Sequence, residues 1–160
     1  SNASPLIALS NISRLELLKE IFQRIIIPKA VYNEVVKEGK NRAGAVEVEK
    51  SIGKWIEIKE VKNLNEVRAL RSVLDYGESE VIVLGQEINA DLLILDNKEP
   101  RMFAKHLEFK VVGTIGILML AYKKGILDNP IKEIMKLKEK GFYISDKLLK
   151  EILRELEKNE

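Results

Sequence analysis

Three places along the chain put an acid where an acid is costly or conspicuous. Asp96 directly follows Leu92–Leu95, a short apolar run that reads as a buried strand, so it sits at the strand's carboxyl tip. Glu34 falls between Val31 and Val35 at helical spacing, on a face expected to be buried, where an unpaired carboxylate is expensive. Glu78 opens an apolar helix after Gly77, with Ile82, Gly85 and Ile88 continuing its face, and Glu80 follows two residues later. Each acid also has an ordinary use. Asp96, with Asn97 after it, serves to cap the next helix; Glu78 and Glu80 suit a first turn through the helix dipole; Glu34 pairs with a Lys or Arg at a rim. Convergence argues for more. All three places are reached from the carboxyl end of a strand, and in a parallel sheet those ends share the edge where α/β proteins bind ligands.

The remaining composition narrows the chemistry. The 160 residues include no cysteine and one histidine, His106, which excludes disulfides, thiolate zinc sites, a cysteine nucleophile and multi-histidine metal centres. Side-chain oxygens are left, and a carboxylate cluster of that kind suits a hard cation such as Mg²⁺ or Mn²⁺. Lys and Arg number 27 against 25 Asp and Glu, a formal +2, so any site for a polyanion must be local. At 46% hydrophobic and 32% charged, the chain belongs to no disordered or low-complexity class. The longest apolar stretch, Val111–Tyr122, is broken by Gly113, Thr114 and Gly116 and is too short to span a bilayer. With no basic leader, the expectation is a cytoplasmic protein without a membrane partner.

The elements that must position these acids alternate. Pro5–Phe22 reads as two short helices broken near Ser10–Ser13; Arg24–Ile27 as a strand stopped by Pro28; Lys29–Glu38 and Arg42–Ile52 as helices ended by Gly39 and Gly53. Trp55–Val61 alternates as a strand with one wet face, and Leu64–Leu74 and Glu78–Ile88 follow as helices. Leu92–Leu95 and Phe109–Val112 are strands, with helices over Pro100–His106 and Thr114–Lys124. Asn129-Pro130 caps a helix to Lys140, and Ser145 caps a last one to about Glu157. Strands alternating with helices predict an α/β fold, a three-layer α/β/α sandwich around a central parallel sheet. The whole of 1–160 reads as one domain, with a helical C-terminal extension from about residue 126. The extension's apolar stripe, including Ile131, Ile134, Met135, Leu137, Leu148, Leu149, Ile152 and Leu156, is to be covered by the sandwich, a second copy or a partner peptide.

Successive segments resemble a known family: Ser1-Asn2-Ala3-Ser4-Pro5-Leu6-Ile7-Ala8-Leu9, Pro28-Lys29-Ala30-Val31-Tyr32-Asn33-Glu34-Val35, Gly77-Glu78-Ser79-Glu80-Val81-Ile82, Leu93-Ile94-Leu95-Asp96-Asn97 with Arg101, and Gly113-Thr114-Ile115-Gly116-Ile117-Leu118. In that order they resemble the VapC-like subfamily of PIN domains, over essentially the whole chain. The resemblance implies a metal-dependent endoribonuclease with an acidic pocket, commonly dimeric, and in many relatives the toxin of a toxin–antitoxin pair. It makes Glu34, Glu78 and Asp96 the metal-holding acids, with Glu80 a secondary candidate that periodicity alone does not separate from Glu78. Asn2 falls where standard PIN domains carry a first-strand Asp, Ser4 matches the neighbouring hydroxyl, and Asn97 stands where many relatives have a second Asp. Asn2 and Ser4 are expected to orient a ligand water. Ser1-Asn2-Ala3 also matches the remnant of tag removal; if it is one, the native first strand, a central parallel one, is missing together with its ligand.

An RNA substrate needs cations beside the pocket, and Lys98 and Arg101 just past Asp96 are placed for that. Arg101 equally suits a role pairing with the acids and holding them together. Thr114 after Gly113 offers either a phosphate-binding helix N-terminus or an ordinary cap. His106 is read as ending a helix, and Trp55 and Phe109 as strand packing. Because Asn2 is neutral, the competing expectation is a catalytically silent PIN-like module that binds RNA or a protein. A phosphatase with Asp96 as nucleophile lacks the second Asp of an Asp-x-Asp pair.

Overall fold

The computed structural model describes residues 1–159. Helix α1 (Ala3–Asn11) ends where Ser13 takes a positive φ of 58°, and α2 (Leu17–Phe22) ends at Gln23 with φ 66°. The Ile-Ile-Ile-Pro run forms β1 (Ile25–Pro28), after which α3 (Lys29–Tyr32) passes into a π-helical segment, Asn33–Lys37. Then come α4 (Ala45–Ser51), β2 (Ile56–Lys59) and α5 (Leu64–Leu70), the last capped by the Asn63 side chain. Asp75 opens α6 (Tyr76–Glu87) with a capping box, and β3 (Leu93–Ile94), α7 (Lys98–His106) and β4 (Val111–Val112) follow. The chain closes with α8 (Thr114–Lys123), α9 (Pro130–Glu139) and α10 (Asp146–Lys158), α9 and α10 carrying the expected Asn129 and Ser145 caps.

The strands are parallel and surrounded by helices, an α/β architecture, but they are short and fall into two pairs. Ile25 stands opposite Ile56 and Pro28 opposite Lys59; Leu93 stands opposite Val111 and Ile94 opposite Val112. The α/β class with parallel strands and helices around them is as expected from sequence, with the strands paired two and two. What joins the pairs is the extended start of the chain: the Ser1 amino group donates to the Ile26 carbonyl at 3.2 Å, and the Asn2 N–H donates to the Ile94 carbonyl at 3.2 Å. Two residues reach only one hydrogen bond to each side. Beyond them a groove of about 430 Å³ runs between the β1 and β3 regions, lined by Phe22, Ile26, Val81, Leu84, Leu93 and Ile94 among others.

Helix α6 packs on β1 and β3 and touches α3, α5 and α7, while α8 packs on β4, α1, α2 and α9. Gly85 permits the close approach of α6 to β3, since a Cβ there would meet Leu93 Cδ2 at 2.8 Å. One connected core runs from Ala3 to Ile152 and includes Leu6, Leu9, Ile27, Ile82, Leu95, Ile117 and Leu118. Of the C-terminal stripe, Ile134, Leu137 and Ile152 join that core, so the body of the protein itself covers them, whereas Met135 and Leu148 remain exposed. Trp55 is buried and Phe109 packs on the core, as strand packing requires.

Candidate functional site

Leu95, just past the end of β3, still donates its N–H to the Val112 carbonyl at 2.9 Å and delivers Asp96 to the N-terminus of α8. There the Thr114 N–H donates to Asp96 Oδ1 at 2.7 Å, and the Thr114 hydroxyl donates to Oδ2 at 2.7 Å. Such a carboxylate is favoured by the unsatisfied N–H groups and positive end of a helix. Ser4 Oγ adds a third donor to Oδ2 at 3.3 Å, carried in from the first turn of α1. Gly113 leaves room for this clamp: a Cβ there would lie 2.8 Å from Asp96 Oδ1 and 2.7 Å from Arg101 Nη1. Arg101 donates to the Leu95 carbonyl at 2.9 Å.

The other acids gather beside this clamp. Glu78 is buried in the first turn of α6; its Oε2 accepts from the Asp75 N–H at 3.1 Å and its Oε1 from the Asn97 side chain at 2.8 Å. Asn97 thus links the acid of α6 to the residue beside Asp96. Glu34 sits across from them on the π-helical segment, close enough to Gly77 that a Cβ there would lie 3.3 Å from its Oε2. Desolvation, then the charges of Asp75, Glu38 and Glu78, push the Glu34 carboxyl above its ordinary range. Among the described residues, none of Glu34, Asp75, Glu78 and Asp96 forms an ion pair with a Lys or Arg.

These groups border a cleft of about 330 Å³ whose lining includes Asn2, Ser4, Asn11, Glu34, Asp75 and Asn97 together with Leu137, Lys140, Gly141 and Phe142. Asn2 is only 5% exposed and its Oδ1 has no hydrogen-bond partner. A buried amide oxygen left bare is costly, and Asn2 belongs to the lining of a cleft that also holds the carboxylates of Glu34 and Asp75, a set of side-chain oxygens that suits a hard divalent cation. Yet no group of three or more Asp, Glu, His or Cys side chains among the described residues converges closely enough to hold an ion. Glu34 and Asn2 line the cleft, while Glu78 and Asp96 connect to it through Asn97 and Ser4.

Several sequence expectations are corrected. Glu34 is exposed rather than buried: the chain widens to π-helical geometry over Asn33–Lys37, so 3.6-residue periodicity fails there. It also lacks the rim ion pair offered as its alternative. Glu80 is buried elsewhere, its Oε1 accepting from the Ala30 N–H at 2.9 Å, so it caps α3 and leaves the cleft to its neighbours. Thr114, read as either a phosphate-binding helix N-terminus or an ordinary cap, is fully buried and gives both its donors to Asp96. Arg101 does not pair with the acids. Lys98 is exposed in the first turn of α7, and exposed His106 ends that helix as read.

Asp75, Asn11, Lys140 and Phe142 were missed as cleft residues. Asp75 had a signal, because Asp-x-x-Glu ahead of an apolar run is a capping box that puts both acids at one helix mouth. The others arrive by tertiary packing alone.

No helix is long and apolar enough to cross a membrane among the described residues. Neither the curated proteins nor the solved structures contain a match to this chain. A family model described as a PIN domain matches residues 1–158, nearly the whole chain. With its parallel strands, its capped acid at a strand tip and its acid-lined cleft, the chain belongs to the PIN-domain family, whose members are generally nucleases.

Proposed function

We propose that the protein is a divalent-metal-dependent endoribonuclease of the VapC-like kind, acting at the cleft beside Asp96. The observation that carries this reading is the absence of any cationic partner for Glu34, Asp75, Glu78 and Asp96 among the described residues. Glu34, pushed up by desolvation and by the charges of Asp75, Glu38 and Glu78, is held at a cost, and functional sites are where such costs are kept. Glu34, Glu78 and Asp96, with the bare Asn2 Oδ1, are the oxygens that would hold Mg²⁺ or Mn²⁺. A divalent ion there would supply neutralisation of phosphoryl charge and a water of lowered pKa.

The chain's own residues divide the work. Thr114 and Ser4 fix the Asp96 carboxylate in one orientation. Asn97 fixes Glu78 in the same way. Asn2 and Ser4 line the cleft with an amide oxygen and a hydroxyl, suited to orienting a water. Lys98 and Arg101, on the first turns of α7 beside Asp96, are suited to the flanking phosphates of an RNA strand. In its biological setting we read the protein as the toxin of a toxin–antitoxin pair, acting as a homodimer in the cytoplasm and held in check by an antitoxin protein.

The test is cleavage of single-stranded RNA with Mn²⁺, alongside thermal unfolding with and without the ion. The wild type is expected to cleave and to gain stability on adding Mn²⁺. Glu34→Gln and Asp96→Asn are expected to lose about 100- to 1,000-fold in rate, the effect of several kcal/mol of lost charge stabilisation, together with the thermal shift. Undiminished Mn²⁺-dependent cleavage by both variants would sink the proposal. The neutral Asn2 favours a second reading, a silent RNA- or protein-binding module. RNA binding indifferent to chelator, with no Mn²⁺ shift, would establish that one instead.

A further inference from the structure

The C-terminal helices do more than extend the fold, because the turn after α9 forms one wall of the acid cleft. Lys140, Gly141 and Phe142 line it together with Glu34, Asp75 and Asn97. Lys140 is the sole basic residue in that lining, is exposed, and forms no ion pair among the described residues although acids line the same cleft.

The wall is firmly built. Glu133 on α9 is 2% exposed and takes Arg14 Nη2 at 3.1 Å, bolting α9 to the loop after α1. Leu137, one turn before Lys140, is buried in the core, and its carbonyl accepts the Phe142 N–H at 2.9 Å. Gly141, at φ 92°, makes the left-handed turn that lets this helix-ending bond close. The half-buried Phe142 packs on the core and still lines the cleft.

A cleft whose lining combines side-chain oxygens, an amide, a free ammonium and an aromatic ring matches a phosphodiester with its base. At about 330 Å³ the space lies at the low end of ligand pockets, on the order of one nucleotide unit. We propose that Lys140 and Phe142 form the substrate grip of this cleft, Lys140 holding a phosphate of single-stranded RNA and Phe142 receiving an adjacent base. The grip rests on the nuclease reading for its substrate, but its binding is measurable without cleavage.

The experiment measures single-stranded RNA binding by anisotropy across a salt series, and cleavage kinetics with Mn²⁺, for wild type, Lys140→Ala, Phe142→Ala, Phe142→Tyr and Lys150→Ala. Lys140→Ala is expected to weaken binding about 10-fold, to lower the salt slope by about one, and to raise KM while leaving kcat within about twofold. Phe142→Ala is expected to weaken binding about 5- to 100-fold, and Phe142→Tyr, which keeps the ring and the packing, to restore it. Lys150, exposed on α10, is the control for net charge, and its variant is expected to behave as wild type.

If the wild type cleaves RNA and Lys140→Ala binds and cleaves it equally well, the grip is wrong and the nuclease reading stands, whether or not Phe142→Ala stays folded. If Lys150→Ala weakens binding as much as Lys140→Ala does, only net charge is at work and the grip is again overturned. Without cleavage by the wild type the nuclease reading fails, and the anisotropy series still decides whether Lys140 and Phe142 bind RNA.

Discussion

At the scale of single residues, the site shows how much depends on which partner each side chain finds. Glu34 stands among Asp75, Glu38 and Glu78 with its carboxyl pushed above the usual range. A raised carboxyl means the folded state binds the proton more tightly than the unfolded chain, whose value is near 4.5, so its charge opposes folding once pH rises past that value. Glu34→Gln is therefore expected to raise Tm at pH 7 by about 1–3 °C, a modest gain because the group is exposed and screened. The gain should vanish below about pH 4.5, where both forms are neutral. Melting curves at pH 4 and pH 7 check this. A variant more stable and less active at neutral pH would mark Glu34 as kept for function. Glu133 shows the opposite balance. Burial alone would raise its carboxyl, but the Arg14 hydrogen bond and the charges of Arg14 and Lys136 bring it below the usual range.

Among the elements, the caps were legible and the depths were not. Asn129-Pro130 and Ser145 announced α9 and α10, because cap chemistry is local. Asp96 was placed at a strand tip by the apolar run before it, yet nothing in the sequence says that Thr114 would turn both donors on it. Glu78 and Glu80 looked interchangeable because they are two residues apart in one first turn. Only the fold sends Glu78 to Asn97 and Glu80 to the start of α3. The separation is testable. Glu80→Ala should cost about 1–2 kcal/mol of stability through the lost cap on Ala30, and leave the Mn²⁺ thermal shift in place, whereas Glu78→Ala should remove that shift. Denaturant titrations in the presence and absence of Mn²⁺ measure both. Glu34 was misplaced for a geometric reason, since a π-helical turn breaks the periodicity from which burial was read.

For the molecule as a whole, alternation of strand and helix foretold the α/β class, while strand length and sheet continuity depended on pairings that no local pattern encodes. The Ser1 amino group lies at the join between the two strand pairs, and burial pushes its pKa from 8.0 down to about 5. Between those values the unfolded chain holds a proton that the folded one releases, so stability is expected to climb as pH rises from 5 to 8. Acetylating the Ser1 amine should flatten the climb, which unfolding free energies of the free and acetylated chains at pH 5 and pH 8 would show.

Asn2 takes part in both the join and the cleft: its backbone N–H holds Ile94, and the residue, whose side-chain oxygen is bare among the described residues, lines the cleft. Whatever grips that oxygen also staples the two halves of the protein together. Occupancy of the cleft should accordingly slow deuterium uptake at the Asn2 amide, and a chain that breathes along this seam should lose its ligand each time it opens.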